Sequence, residues 1–343
     1  MHGPLRAASL AACLLGLGCA SDRPAPTATP ARLVAFGDSF TDQGAYADVA
    51  ASLGAADAGR FTTNPDPMWI EHVARELGLE IRSSAAGGTN HAEGFARNAL
   101  PAPAQPGLSQ TPIAEQVERF LAAGGFVPGD AVLINGGGND VLLAAQAGGD
   151  LAALDAAADA FAATVERLLE AGADEVHVLS TPDIGTAPVG GSGAGGADNP
   201  LTRLVTHYNG AVRERLAPRL ASDGARLQLI DATGFLGDLF ERPADHGLAD
   251  VTTPACTNGE FAAFACGPGT QLDGASEDFL FADAIHLAGR PQRLLGEFVA
   301  RARRRRALSA RPDAPVRRAP PRRGRATGAA CARSGDRRAC RAS

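Results

Sequence analysis

The chain has 343 residues, of which 45% are hydrophobic and 20% are charged, so it is long enough and apolar enough to bury a full globular core. Its net charge is −6, but the charge is unevenly distributed. About 15 of the 32 basic residues, all of them arginine, lie from Arg301 onward, so the body before them is strongly acidic. An acidic body argues against nucleic acid as a partner, and no spacing of His, Cys, Asp or Glu indicates a metal site or another cofactor.

Residues 1–20 are predicted to be an export signal. Arg6 supplies the positive charge, residues 7–17 form a short apolar stretch, and residues 18–20 have the small side chains of a cleavage zone. Ordinary cleavage is one interpretation; the other is a bacterial lipoprotein in which a lipidated Cys19 anchors the chain to a membrane. Under either one we expect an exported protein that is periplasmic, lipid-anchored at the cell envelope, or secreted.

After a Pro/Ala/Thr-rich linker at 21–30, short apolar runs alternate with helical periodicities over residues 31–301. The predicted strands are 33–36, 131–134, 175–179 and 226–230, and the predicted helices are about 67–77, 110–123, 150–171 and 200–219. Alternation of this kind predicts parallel strands joined by helical crossovers, which is an α/β fold with three layers, αβα, around a central parallel sheet. Reactive side chains in such folds gather beyond the carboxyl ends of the strands.

The last part of the chain is less regular. Residues 235–280 lack a clear period and are predicted to be a long insertion, in which Cys256 and Cys266 form a local disulfide; the alternative is a pair of packed free thiols. Residues 302–343 are dominated by Arg, Pro, Ala and Gly and are predicted to be a disordered tail. A basic arm that binds anionic lipid or polysaccharide is a second interpretation of this tail.

The segment Gly37-Asp38-Ser39-Phe40 follows the first predicted strand directly. Glycine permits a sharp turn there, and the turn presents the serine hydroxyl at the carboxyl end of the strand. A serine in this place is often only a helix cap, so the interpretation depends on the three further motifs below.

Four segments together resemble the motif blocks of the G-D-S-L, or SGNH, hydrolase family, in the family's order. They are residues 36–42 (FGDSFTD), 88–94 (GTNHAEG), 137–140 (GGND) and 281–286 (FADAIH). The stretch 251–256 is also similar to a bacterial branch of secreted acylhydrolases. The resemblance spans roughly residues 32–300 and implies a flavodoxin-like sandwich. One departure is the stretch 287–291, which intervenes where the family usually has Pro or Leu and then Thr.

The resemblance implies Ser39 as nucleophile, with Asp283 and His286 as its partners. General chemistry supports the same three residues. A serine hydroxyl needs a base such as a histidine during attack, and a carboxylate can fix the tautomer of that imidazole. The resemblance further implies that the N–H groups of Ser39 and Gly94 and the side-chain amide of Asn139 receive the oxyanion formed in the attack.

Three further residues are candidates for the surroundings of the site. Asp38 is expected to stabilise the turn, Asn90 to hydrogen-bond behind the site, and His91 to line the pocket. His72, His177 and His207 are better explained as structural, and His246, in the insertion, is expected to be exposed. Gly136-Gly137-Gly138 is not a phosphate cradle, because no lysine follows it in the P-loop pattern.

The sequence therefore predicts an exported serine carboxyl-ester hydrolase that acts on a lipid or on a short-to-medium acyl ester. Removal of O-acetyl groups from carbohydrate is the alternative on the same fold. A non-catalytic surface module would require a broken site, and every expected site residue is present.

Overall fold

The structure is a computed structural model, and it describes residues 29–191 and 195–309. The predicted signal with Cys19, most of the linker, and the tail from residue 310 lie outside the described residues.

The central sheet has four parallel strands in the order β1-β2-β3-β4. They are β1 (Arg32–Phe36), β2 (Asp130–Ile134), β3 (Glu175–Leu179) and β4 (Leu227–Ile230). Asn90 extends the edge beside β1 through a parallel bridge to Ala35, so the second motif block lies next to the first strand. A separate pair of parallel strands, β5 (Asp250–Pro254) and β6 (Phe279–Phe281), lies at the end of the insertion.

Helices cover both faces of the sheet. They are α1 (Ala47–Ser52), α2 (Trp69–Glu76), α3 (Ile113–Ala122), α4 (Gly138–Gln146), α5 (Leu151–Glu170), α6 (Pro200–Ser222), α7 (Ala232–Glu241), α8 (Ala275–Asp278) and α9 (Gly289–Ser309). Alternate strand residues feed two cores: Val34 and Val132 pack toward α3, α5 and α6, whereas Leu33 and Leu133 pack toward α2, α7 and α9. The prediction of a three-layer α/β fold around a parallel sheet is confirmed.

The insertion is more ordered than its sequence indicates. It contains α7, β5 and α8, and Cys256 forms a disulfide with Cys266. Within the described residues, no helix combines the length and the apolar character needed to cross a bilayer.

The predicted start of the tail at residue 302 needs correction. Helix α9 continues to Ser309, so the predicted boundary falls inside a helix. The reason is Arg303, which is 1% exposed and pairs with the buried Glu175 carboxylate of β3 at 2.7 Å. Composition suggested a solvated arginine run, but one of these arginines faces the sheet and forms an ion pair.

Candidate active site

Ser39, His286 and Asp283 form one line of hydrogen bonds. Ser39 follows β1, while Asp283 and His286 follow β6. The Oγ atom of Ser39 lies 2.8 Å from Nε2 of His286, and Nδ1 of the same imidazole lies 2.8 Å from both carboxylate oxygens of Asp283. The structure thus brings together the three side chains that the sequence predicted as a catalytic set.

The Asp283 carboxylate is fully buried, and its hydrogen bonds hold it in place. It accepts N–H groups from Ala263 at 2.9 Å, Ile285 at 3.0 Å and His286 at 2.9 Å. Burial alone would raise the pKa of Asp283, but the His286 imidazole and these N–H donors outweigh burial and hold that pKa below its ordinary value. Asp283 is therefore a carboxylate that stabilises positive charge on the imidazole.

The imidazole of His286 is supported from two sides. The ring of Phe61 lies against it, with 4.8 Å between ring centroids. The backbone carbonyl of His286 accepts the N–H of Ala282 at 2.7 Å, and Ala288 N donates to Leu280 O at 3.1 Å, which ties this stretch back onto β6. The departure from the family pattern after His286 therefore leaves the imidazole in place.

The turn that carries Ser39 is shaped by its neighbours. Gly37 has a φ of +156° and sits so close to Asn135 that a Cβ atom would lie 2.0 Å from the Asn135 Oδ1 atom. Asp38 accepts the Phe40 N–H at 3.0 Å and the Asn135 side-chain N–H at 2.7 Å, which is the turn-stabilising part predicted for it. Burial raises the pKa of Asp38.

The predicted donor at Gly94 needs correction. The N–H of Gly94 already donates to Oδ2 of Asp42 at 2.8 Å, within the core. Gly94 is needed for another reason, because a Cβ atom there would lie 2.3 Å from Cζ of Phe61. The glycine leaves room for the ring that supports His286, and its own N–H is not free to bind an oxyanion.

The next residue, Phe95, has an N–H group that is not bonded in this way. Phe95 has a φ of +64° and lies at the third position of a turn closed by the Ala96 N–H to Glu93 carbonyl bond of 3.3 Å, as in a type II turn. Within residues 29–191 and 195–309, neither the Phe95 N–H nor the Ser39 N–H has an acceptor. Phe95 and Ser39 also line the same cavity.

Asn139, which the sequence predicted as an oxyanion donor, lies at the mouth of the site. It stands in the first turn of α4 and lines both cavities beside Ser39. One N–H of its carboxamide donates to the Ala96 carbonyl at 2.9 Å, which fixes the side chain. A carboxamide has two N–H bonds, so a second donor remains for a ligand.

Asn90 and His91 do not line either cavity beside Ser39. The Asn90 amide donates to the Thr41 carbonyl at 2.8 Å and to Gln43 at 2.9 Å, and so links the segment after Ser39 to the second motif block. His91 lines neither cavity beside Ser39, so its predicted pocket role is wrong. Its ring stacks on Phe36 at 5.4 Å between centroids, because the alternation along this edge turns it toward the apolar core.

Two cavities meet at Ser39, His286 and Asn139. One is about 40 Å³ and is bounded by the loop after β3, including Thr181 and Ile184. The other is about 680 Å³. Its walls are largely apolar and consist of Phe95, Ala102, Pro103, Leu142, Leu143, Ala145, Val189, Leu201, Phe261 and Ile285, with Gln105, Gln110, Gln146 and Glu260 as polar members.

A three-layer α/β sandwich with a Ser–His–Asp line at the carboxyl edge of its sheet is the arrangement of a serine-dependent ester hydrolase. Residues 33–299 match the model of the GDSL-like lipase/acylhydrolase family, and the chain belongs to that family. It is accordingly a carboxylic ester hydrolase of the GDSL lipase/esterase type.

Two curated relatives and a solved structure are similar to the chain. A phosphatidylcholine-sterol acyltransferase from Aeromonas hydrophila is 28% identical over 315 residues, with 84% of each chain covered. Lipase 1 from Photorhabdus luminescens is 23% identical over 74% of this chain, which spans 47% of that protein. A lipolytic G-D-S-L protein from Veillonella parvula is 15% identical, covers 79% of this chain and 96% of its own, and has a TM-score of 0.42.

Proposed function

We propose that Ser39 is the nucleophile, His286 the general base, and Asp283 the group that orients the imidazole, in an ester hydrolysis that passes through an acyl-serine. The observation that carries this proposal is the unbroken hydrogen-bonded line from Asp283 to Ser39, with all three contacts at 2.8 Å, at the edge of a large apolar cavity.

In the first half-reaction, the Ser39 oxygen attacks the ester carbonyl carbon while Nε2 of His286 takes its proton. The carbonyl electron pair moves onto oxygen, where the N–H groups of Ser39 and Phe95 and the free N–H of Asn139 receive the charge. Each such donor typically lowers the barrier by about 3–4 kcal/mol. The tetrahedral intermediate then expels the alcohol, which leaves with the proton from His286, and the acyl group stays on Ser39.

In the second half-reaction, water attacks the acyl-serine while the same imidazole takes one of its protons. The same donors stabilise the second oxyanion, and its collapse returns the proton to Ser39 and releases the carboxylic acid. Asp283 stays ionised throughout, since its lowered pKa leaves it a carboxylate that stabilises each imidazolium.

The large cavity supports a substrate with an extended apolar part, such as a medium or long acyl chain of a lipid ester. Leucine, valine and phenylalanine side chains dominate its walls, and burial of each methylene is worth about 0.8 kcal/mol. The two relatives are named as a phosphatidylcholine-sterol acyltransferase and a lipase, which agrees with a lipid ester and makes phospholipid a substrate to test.

Carbohydrate O-deacetylation is the competing activity, and the cavity of about 40 Å³ beside Ser39 is the observation in its favour, because it has room for little more than an acetyl group. A series of p-nitrophenyl esters from acetyl to palmitoyl, run beside an acetylated glycan, separates the two. We expect kcat/KM to rise with chain length through the medium-chain esters; a steep fall beyond acetyl, with turnover of the glycan, would assign deacetylation instead.

Substitution of the nucleophile tests the mechanism. Ser39→Ala should abolish p-nitrophenyl ester turnover, and labelling by a fluorophosphonate probe should disappear with it. The exposed Ser84 provides a matched control, since Ser84→Ala removes an equivalent hydroxyl away from the site. Undiminished turnover by folded Ser39→Ala would exclude this serine as the nucleophile, and failure of the wild-type protein to react with the probe would favour a non-catalytic module.

We also propose that the protein is exported. The signal-like residues 1–20 and the Cys256–Cys266 disulfide, a bond that persists in oxidising compartments, support this location. Mass spectrometry of the mature N-terminus distinguishes a lipidated Cys19 from simple cleavage, and an intact Met1 in protein from its native cells would contradict export through this segment.

A further inference from the structure

Two non-glycine residues in the described part of the chain have a positive φ: Phe95 at +64° and Gln110 at +50°. Both line the large cavity beside Ser39. For residues with a Cβ atom this conformation costs roughly 1–2 kcal/mol, so it persists only where the surroundings enforce it. Strain at two places on one cavity wall indicates that the wall is held in a required shape.

A single hydroxyl connects the two strained residues. The Tyr46 OH donates to the carbonyl of Gly94 at 3.0 Å and accepts the N–H of Gln110 at 3.1 Å. Tyr46 is 3% exposed, and burial raises the pKa of its phenol further above the ordinary value. The hydroxyl therefore keeps its proton and remains a hydrogen-bond donor to Gly94.

The Gly94 carbonyl and the Phe95 N–H belong to the same peptide group. A trans peptide is planar, and its C=O and N–H bonds point in opposite directions. A hydrogen bond that fixes the direction of the carbonyl consequently fixes the direction of the N–H as well. Tyr46 thus determines where the Phe95 N–H points, although the phenol does not touch it.

The preceding peptide group is fixed from the other side. Oδ2 of Asp42 accepts the Gly94 N–H at 2.8 Å, while Oδ1 accepts the N–H groups of Gly44 at 2.8 Å and Ala45 at 2.7 Å. Gly94 is held through both its N–H and its C=O, which leaves little freedom to the turn 93–96.

We propose that Tyr46 is a positioning residue that aims the Phe95 N–H into the oxyanion hole, with Asp42 holding the adjacent peptide. This inference rests on the proposed acyl-serine mechanism and assigns one hydroxyl, outside the Ser–His–Asp line, to the orientation of a transition-state donor. Without that hydroxyl, the Gly94–Phe95 peptide is free to rotate and to release the positive φ of Phe95.

The test is Tyr46→Phe, which removes the hydroxyl and keeps the ring. We expect kcat for p-nitrophenyl butyrate to fall about tenfold or more, with KM within about twofold of wild type, because the lost interaction acts in the transition state. Val165→Ala is the control for general loss of stability, since this fully buried side chain lies in α5, in the core away from the cavity wall. Its kcat should match wild type below its unfolding temperature.

A second measurement separates aiming from a merely structural role. Sulfur accepts hydrogen bonds more weakly than oxygen, so the rate ratio between an ester and the matching thionoester reports on the donors that face the carbonyl. We expect this ratio to fall in Tyr46→Phe and to stay at the wild-type value in Val165→Ala. If Tyr46→Phe does not fold, Asp42→Asn is the second variant, and it should show the same fall in kcat and in the ratio.

Folded Tyr46→Phe with wild-type kcat would overturn the inference. So would equal losses toward ester and thionoester, because the hydroxyl would then act only through stability. These outcomes differ from failure of the proposed function, which would appear as an inactive wild-type protein or as an active Ser39→Ala variant.

Discussion

At the residue scale, the position of the His286 imidazole depends on the absence of a side chain at Gly94. Gly94 has no Cβ, and the space is filled by Phe61, whose ring lies 4.8 Å from the His286 ring between centroids. Gly94 therefore acts on His286 through packing, while the N–H of the adjacent Phe95 is the proposed oxyanion donor.

Gly94→Ala is predicted to lower activity even though the Gly94 N–H is not an oxyanion donor. The added methyl would lie 2.3 Å from Phe61, so the ring that packs on His286 must shift. We expect a loss of about 1–3 kcal/mol in the free energy of unfolding, as for other overpacked cores, together with a lower kcat. Urea unfolding and ester kinetics measure both.

The double variant Gly94→Ala/Phe61→Leu provides the control. Leucine is shorter than phenylalanine, so the combined loss of stability should be smaller than the sum of the two single losses. Strict additivity would contradict a clash between these two positions.

The raised pKa of Asp42 leads to a prediction of how the stability of the protein depends on pH. Burial raises its pKa to about 7, with Glu93 adding to the rise and three N–H donors opposing it. The folded protein then holds this proton where the unfolded chain, with a carboxyl pKa of about 3.9, has lost it. This contribution to stability is present below about pH 4 and is lost as the pH rises through 7.

Asp42→Asn should therefore flatten the change of Tm between about pH 5 and pH 8 relative to wild type, as measured by calorimetry. His72 and His91, whose pKa values burial lowers, titrate in both proteins and cancel in the comparison. Parallel Tm profiles would contradict a raised Asp42 pKa.

The sequence predicted Ser39, Asp283 and His286 because their chemistry requires these residue types within short motifs. It also predicted the Gly94 N–H as a donor, but that N–H is bonded to Asp42 in the structure. A motif does not show which of two neighbouring N–H groups in a turn faces the site, and we propose that it is the N–H of Phe95. The sequence predicted that His91 lines the pocket, but its ring stacks on Phe36 in the core instead. The sequence does not show the packing that turns the ring this way.

At the element scale, the disulfide-bonded segment 256–266 reaches the Asp283 carboxylate. Ala263 in this segment donates its N–H to Asp283, and Phe264 packs on Phe61 with 5.4 Å between ring centroids. Asn64 ties the segment to the loop that bears Phe61, because its amide donates to the Ala263 carbonyl at 2.9 Å.

Removal of this disulfide is predicted to lower both stability and kcat. The bond joins residues ten apart, and closing a loop of that size is worth about 2–3 kcal/mol. We expect Cys256→Ala/Cys266→Ala to unfold at a lower temperature and to turn over esters more slowly, as the Ala263 N–H loses its fixed position. Reductant should affect wild type in the same way and leave the double variant unchanged; a reductant-sensitive double variant would point to other cysteines.

Periodicity predicted the four sheet strands and the long helices within a few residues. Helices α4 and α7 were not predicted; they are short and begin only a few residues after strands β2 and β4, at Gly138 and Ala232. The insertion is organised by the disulfide and by hydrogen bonds to distant loops, and local sequence does not reveal such contacts.

At the scale of the whole molecule, α9 closes one face of the sheet and is tied to it by charge. Glu175 accepts Arg303 at 2.7 Å and 2.9 Å and lies 3.1 Å from Nε2 of His177, with all three side chains buried. Breaking a buried pair leaves an uncompensated charge and typically costs 3–5 kcal/mol.

Two truncations test where the folded unit ends. A chain that stops after Ser309 keeps Arg303 and should retain the wild-type Tm, whereas a chain that stops after Arg301 should be about 3 kcal/mol less stable. Denaturant unfolding of the pair measures the difference. Equal stability would return the boundary to residue 301, where composition had placed it.

The Ser39 hydroxyl and the His286 imidazole are 247 positions apart along the chain, and Asp283 and His286 both follow β6. If Ser39 is the nucleophile, it is therefore synthesised long before the imidazole that would deprotonate it. A ribosome-bound or clipped chain that ends before His286 exposes an inert alcohol. Under the proposed mechanism, the chain therefore has no ester-hydrolase activity until nearly the whole body has been made.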